Sequence, residues 1–253
     1  MTKPESKCRL CLKGAELCKS HVIPEFFYEQ MKLYDSKHRC NILSTKPGRH
    51  FPPVQKGIRE RLLCKGCEGK FSEWENYARR ALYGGECIEI TTNDRKGFEC
   101  TVGYRKYKLF QLSILWRVGI STQAAFSSVE LGKHEDVLRR MLHGGEPGAT
   151  DAYGCVILRS TKYTDFTSKL IHCAGMSSVD GVDCVTLLLD PGFWVFLLSE
   201  SPIDPRWKEL FLQDSGRLRI LKKDIDPNGY IERLALDFYR ANPRLFDQLD
   251  DLK

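Results

Sequence analysis

Cys8-Arg9-Leu10-Cys11 and Cys64-Lys65-Gly66-Cys67 are the two short runs from which the fold can be read. Each is a Cys-x-x-Cys pair, a spacing that lets one tight turn aim two thiolates at a single ion. Two such pairs far apart in one chain point to one four-thiolate zinc site, with Cys8, Cys11, Cys64 and Cys67 as ligands and no open position for substrate. A closed site of this kind works by holding other residues in place. Between the pairs lies Ser20-His21-Val22-Ile23-Pro24, and directly after the second comes Glu68-Gly69-Lys70-Phe71.

The same two pairs argue about compartment. Eleven cysteines form no regular small-protein framework, and no basic start leads into an apolar N-terminal run. Together these lead us to expect a reducing, cytoplasmic setting, where paired cysteines mean metal or redox chemistry. No βαβ unit surrounds either pair, which favours metal over a redox dithiol. The longest apolar stretch, residues 185–198, is split by Asp190-Pro191-Gly192, so a membrane partner is not expected. No small-molecule cofactor motif is evident.

Charge is uneven along the chain. Residues 1–110 carry 22 Lys+Arg against 13 Asp+Glu, whereas residues 111–253 carry 17 against 20. A basic half bearing a metal motif suggests a polyanionic partner, with DNA ahead of RNA. The strip 35–63 concentrates that charge and reads as a basic insertion with little hydrophobic periodicity. Lys46, Arg49, Lys56 and Arg59 there, with Lys70 beyond it, are the candidate phosphate contacts; a solvated surface without a partner is the alternative.

Working outward, His21 falls in a short extended segment, and Pro24-Glu25 suits a helix start. Ile23, Phe27 and Met31 recur at four-residue spacing, as a packing stripe. Cys18 fits no ligand spacing and is assigned to the core. Phe71, Trp74, Tyr77, Ala78, Ala81 and Leu82 describe an amphipathic helix ended by Gly84-Gly85. Residues 87–104 read as two strands around a turn. A strongly apolar helix starts at Leu109 and a second runs from Glu135 to Leu142. Beyond a Gly-Pro hinge, Tyr153–Leu158, Asp183–Leu189, Phe193–Leu198 and Arg217–Leu221 read as strands, and Tyr230–Tyr239 as a helix. The resulting expectation is an α+β chain in three parts: a zinc-bound ββα or treble-clef-like domain over 1–107, a helical connector over 108–148, and a mixed α+β domain over 149–253.

The residues of the first third resemble the zinc-supported HNH, or ββα-metal, nuclease family. Members often carry Cys-x-x-Cys, an acid-His-Ile-Ile-Pro-like segment, then Cys-x-x-Cys-Asn with a nearby lysine. Here Ser20 stands where the family has an acidic or histidine ligand, and Glu68 where it has asparagine or histidine. The resemblance implies an endonuclease that hydrolyses phosphodiesters with one Mg2+ or Mn2+ ion. In it, His21 would be the general base and Glu68 would help hold the cation. It also implies a role in phage defence, since such domains occur in restriction and mobile elements. Read without the resemblance, His21 is a histidine bonding the knuckle backbone or replacing one cysteine on zinc, and Glu68 an acid suited to a helix N-terminus; Glu73 and Glu75 on the same helix could substitute for Glu68 but read as solvated acids. A noncatalytic zinc-ribbon or treble-clef adaptor for nucleic acid or protein is the competing function. In either case the C-terminal domain would offer a surface to a protein partner.

Overall fold

The computed structural model describes residues 6–42, 52–84, 90–93, 97–160, 170–200 and 204–223. The basic candidates Lys46 and Arg49, and the expected helix 230–239, lie outside the described residues. The chain is α+β. Its N-terminal part pairs strand β1 (Leu17–His21) antiparallel with β4 (Arg59–Cys64), and β4 runs straight into helix α2 (Lys65–Tyr83). Between β1 and β4 come the short helix α1 (Glu25–Gln30) and a two-residue ladder of β2 (Arg39–Cys40) with β3 (Val54–Gln55). The described ends of the basic insertion are therefore ordered into strands rather than an aperiodic strip. Arg59-Glu60-Arg61-Leu62-Leu63 hides its strand character because charged residues fill most of its outward positions.

Seven strands form a second, larger sheet in the order β5-β6-β11-β7-β10-β9-β8. They are β5 (Ile90–Asn93), β6 (Gly97–Thr101), β7 (Cys155–Ser160), β8 (His172–Val179), β9 (Val182–Leu189), β10 (Gly192–Leu197) and β11 (Arg217–Lys223). Every pair is antiparallel except β11 with β7. β5 and β6 lie before residue 107, yet β6 pairs with β11, so the sheet crosses the boundary read from the sequence. β8 was not anticipated: Gly175 and the serines around it break the apolar alternation that marks β9 and β10. The Asp190-Pro191 turn between β9 and β10 has a cis peptide bond.

Helix α3 (Tyr104–Ile120) joins the two sheets, and all but a few of its residues are buried. A helix buried around most of its circumference needs partners on every side. α2 supplies one, with Phe71 edge-on to Trp116 at 6.1 Å between ring centroids. The large sheet supplies another through Trp194, which meets Phe110 at 6.2 Å and Phe27 of α1 at 6.0 Å. Helix α4 (His134–Gly144) covers a third side with Leu138 and Leu142. One continuous core runs from Cys8 to Leu218 and includes the Ile23, Phe27 and Met31 stripe.

Arg117 is one of several polar residues buried with that core, with only 1% of its side chain exposed. It sits on α3 and donates from Nη1 to the His21 carbonyl at 2.7 Å and from Nε to the Ser113 carbonyl at 3.1 Å. The same Nη1 lies 2.7 Å from Glu75 Oε1 on α2, an ion pair off the hydrogen-bonding direction. Its guanidinium also lies over the Phe71 ring at 5.3 Å. Glu75 reads from sequence as a solvated acid, but burial against α3 raises its carboxyl's pKa in spite of the attraction of Arg117. Removing one member of such a pair strands the other charge. Arg117→Leu is expected to lower stability in urea unfolding by about 3 kcal/mol, and Arg117→Leu with Glu75→Leu to recover much of that. Equal losses in the single and double variants would mean that the ion pair contributes nothing.

Candidate metal centre and the residues around it

The first cysteine pair sits on a tight turn. Cys8 N–H donates to the Lys13 carbonyl at 3.0 Å, and Leu12 N–H to the Cys8 carbonyl at 2.9 Å. Leu12 takes a left-handed conformation, φ 61°, to close it. Arg9 N–H then donates to the Leu62 carbonyl at 2.9 Å, fastening the turn to β4 just before the second pair. Cys64 is the N-cap of α2, and Cys67 lies in the helix's first turn. The four sulfurs all lie within 4.8 Å of one another, and those of Cys11 and Cys64 are 3.9 Å apart. A tetrahedral ion with bonds of about 2.3 Å would set its sulfurs about 3.8 Å apart. The cluster is close enough to hold a metal ion and compatible with structural zinc.

Electrostatics prepares the cluster unevenly. Burial resists ionisation of Cys8, but the backbone amides around its sulfur, those of Cys11, Cys64 and Leu10, outweigh it and bring the thiol to about 7. The Cys64 amide is 3.3 Å away. Cys67 is pushed the other way, first by burial and then by the neighbouring sulfurs of Cys64 and Cys8. A cation must therefore displace protons to bind. Cys18 is half-buried rather than in the core, and it is not one of the four clustered cysteines.

His21 ends β1, one strand residue beyond Ser20. Its Nε2 is 2.7 Å from the Lys56 carbonyl, so Nε2 carries the proton and donates. That carbonyl is presented by a left-handed pair, Lys56 at φ 57° and Gly57 at φ 73°. A Cβ on Gly57 would lie 2.8 Å from the Tyr28 ring, so only glycine fits there. No described residue bonds His21 Nδ1, which keeps its lone pair. Burial lowers the His21 pKa, outweighing the Lys56 carbonyl and Glu25, whose Oε1 is 4.0 Å from Nε2. The imidazole is neutral at physiological pH.

Glu68 lies in the first turn of α2, where a carboxylate meets the positive end of the helix dipole. Its Oε2 accepts from the buried Ser20 hydroxyl at 2.5 Å, and no described residue donates to Oε1. Among the described residues, no hydrogen bond or ion pair joins His21 to Glu68, although β1 and α2 pack together. Lys70 donates to the His143 carbonyl at 2.7 Å, and Arg59 to the Gln55 carbonyl at 3.1 Å. Lys56 enters the site by its carbonyl. Sequence reasoning missed Arg117, Glu75 and the Lys56 carbonyl. The first two are a long-range pair without a local signal, and a carbonyl has no residue-type signature at all.

Comparison with protein-family models, with curated proteins and with solved structures returned no match. Among the described residues, no helix is long and apolar enough to cross a membrane. Metal analysis of the purified chain should find one ion per chain, lost in Cys67→Ala together with a clear fall in thermal midpoint. Its affinity should weaken on acidification as thiols reprotonate. A Cys67→Ala chain that kept full metal content would place the ion elsewhere.

Proposed function

We propose that the chain is a zinc-stabilised, HNH-like nucleic-acid-binding protein that hydrolyses phosphodiesters. The observation that carries this reading is the tautomer of His21. With Nε2–H committed to the Lys56 carbonyl and the pKa lowered, the ring offers a free Nδ1 lone pair at neutral pH, as a general base requires. The β1-β4-α2 order beside a four-cysteine cluster supports it further, because it resembles the ββα unit of that family with an insertion in the hairpin.

In this reading zinc occupies the four cysteines and fixes the ends of β1 and α2. His21 Nδ1 takes the proton of a water attacking phosphorus. Glu68, through Oε1 and with Ser20 orienting Oε2, would hold a divalent cation, for which Mg2+ or Mn2+ suits an oxygen ligand. Such a cation would neutralise charge on the phosphate and the leaving oxygen. Arg117 is a positioning residue, since it clamps the His21 carbonyl from behind. A second reading, the noncatalytic adaptor, is favoured by one observation: the Ser20–Glu68 hydrogen bond can equally be a clamp between β1 and α2.

A plasmid-cleavage assay with Mg2+ or Mn2+ separates the two readings. Wild type should cut, and His21→Ala should lose at least 100-fold, on the order expected for removing a general base, with metal content unchanged. The rate should rise with pH as His21 loses its proton, with a midpoint below the ordinary imidazole value of about 6.5. The sign for stability matches: the unfolded histidine binds a proton more readily than the folded one, so stability falls as pH drops through about 6.5 towards the lower folded value. Nucleic-acid binding without cleavage in either protein would favour the adaptor.

A further inference from the structure

Strand pairing decides what surrounds the His21 ring. In the antiparallel β1–β4 ladder Lys19 lies directly opposite Arg61, Ser20 opposite Glu60, and His21 opposite Arg59. Residues directly opposite project to the same side, and alternate positions share a face. Lys19, His21, Arg59 and Arg61 therefore line one face, while Ser20 and Leu62 face the interior, where both are buried. Lys19 and Arg61 are exposed on that outer face, and Arg59 is half-buried there.

Like charges placed directly across a ladder oppose folding, yet here two cations face each other and a third lies opposite an imidazole. Arg61 is braced by donating to the Leu17 carbonyl at 2.8 Å, and Arg59 by the Gln55 carbonyl. Lys19 makes no ion pair among the described residues. The acid nearest in sequence, Glu60, is committed elsewhere, since its two oxygens accept from the Ser121 hydroxyl and from the Thr122 hydroxyl and amide at 2.8–3.0 Å. Over this face lies an open cavity of about 270 Å³ whose lining includes Lys19, Gln55, Arg59, Arg61 and Gln123. It offers three cations and two side-chain amides against one acid, Glu60, whose oxygens already accept hydrogen bonds, a balance that favours an anion.

We propose that the outer face of the β1–β4 pair is a groove for the phosphodiester backbone of a nucleic-acid strand, held by Lys19, Arg59 and Arg61. Lys19 and His21 are two strand residues apart, about 7 Å, so a backbone held by the cations runs toward the end of β1 where His21 stands, with Glu68 on the other side of the strand through Ser20. The groove deepens the nuclease reading by giving the substrate's path to His21, and it rests on that reading only for the catalytic consequence. Phosphate contacts of this kind position a strand without reading its sequence.

The test is fluorescence anisotropy with a labelled single-stranded DNA 20-mer, titrated at several salt concentrations. Lys19→Gln with Arg61→Gln should weaken binding and make the slope of log K against log salt less negative by about 1.4, two contacts at about 0.7 each. Arg140→Gln with Arg206→Gln, two exposed cations elsewhere, should leave the slope unchanged. Lys19→Gln with Arg59→Gln guards against a fold defect from losing the Arg61–Leu17 bond, and should behave like the first pair. Slopes unchanged in both groove variants would overturn the proposal. So would equal competition by polyglutamate, which would make the face a general polyanion surface. Wild-type binding with the expected slopes but without cleavage would overturn the nuclease reading and leave the groove standing. Cleavage lost in His21→Ala with the slope intact would support both.

Discussion

Four sulfur atoms from two segments 53 residues apart meet at one point, and most of the N-terminal architecture follows from that meeting. It closes the hairpin of β1 and β4 across an insertion that brings little apolar surface of its own. It also fixes where α2 begins, since Cys64 caps the helix and Cys67 is in its first turn. Burial of Leu17, Ser20 and Leu62 specifies the register of the β1–β4 pair, while charged residues crowd its outer face. A metal ion held by the four clustered cysteines would add a further constraint on the same pairing.

Arg117 carries the constraint into the rest of the molecule. One guanidinium touches the main chain at His21, the carboxylate of Glu75 and the ring of Phe71, so two N-terminal elements, β1 and α2, are fastened to α3 by a single side chain. Charges this deep are costly unless matched. Here the match includes a backbone carbonyl at the candidate general base, which ties the geometry of the site to the packing of the core. Tyr83 makes a further link, donating to Asp190 at the turn of the large sheet.

What could be read from the sequence was what local spacing encodes. The Cys-x-x-Cys pairs, the extended segment containing His21, the stripe on α2 and the apolar run of α3 each announce themselves within a few residues. Pairings between distant segments do not. β4 was hidden because Arg59, Glu60 and Arg61 look like loop residues until a partner strand is known. β8 was hidden by Gly175 and serines, and Glu75 looked solvated because its arginine is on another helix. Lys70 illustrates the same limit in the candidate site: a lysine after a Cys-x-x-Cys pair invites a role with phosphate, while its surface hydrogen bond to the His143 carbonyl depends on a helix far along the chain. His21 was legible as a residue of interest, while its tautomer depends on the carbonyl of Lys56, which only the fold brings near.

The splice of β6 onto β11 has a kinetic meaning. Residues 97–101 pair locally with β5 but find their second neighbour only at residues 217–221, and β7 lies on the far side of that same late strand. During synthesis the thiolate-bearing part can close early, whereas β6 must wait with one edge unpaired until more than a hundred further residues have emerged. Contacts so distant along the chain are slow to form, and an open strand edge invites association with other chains in the meantime. The stage of manufacture most exposed to aggregation is therefore the interval between completion of α3 and arrival of β11.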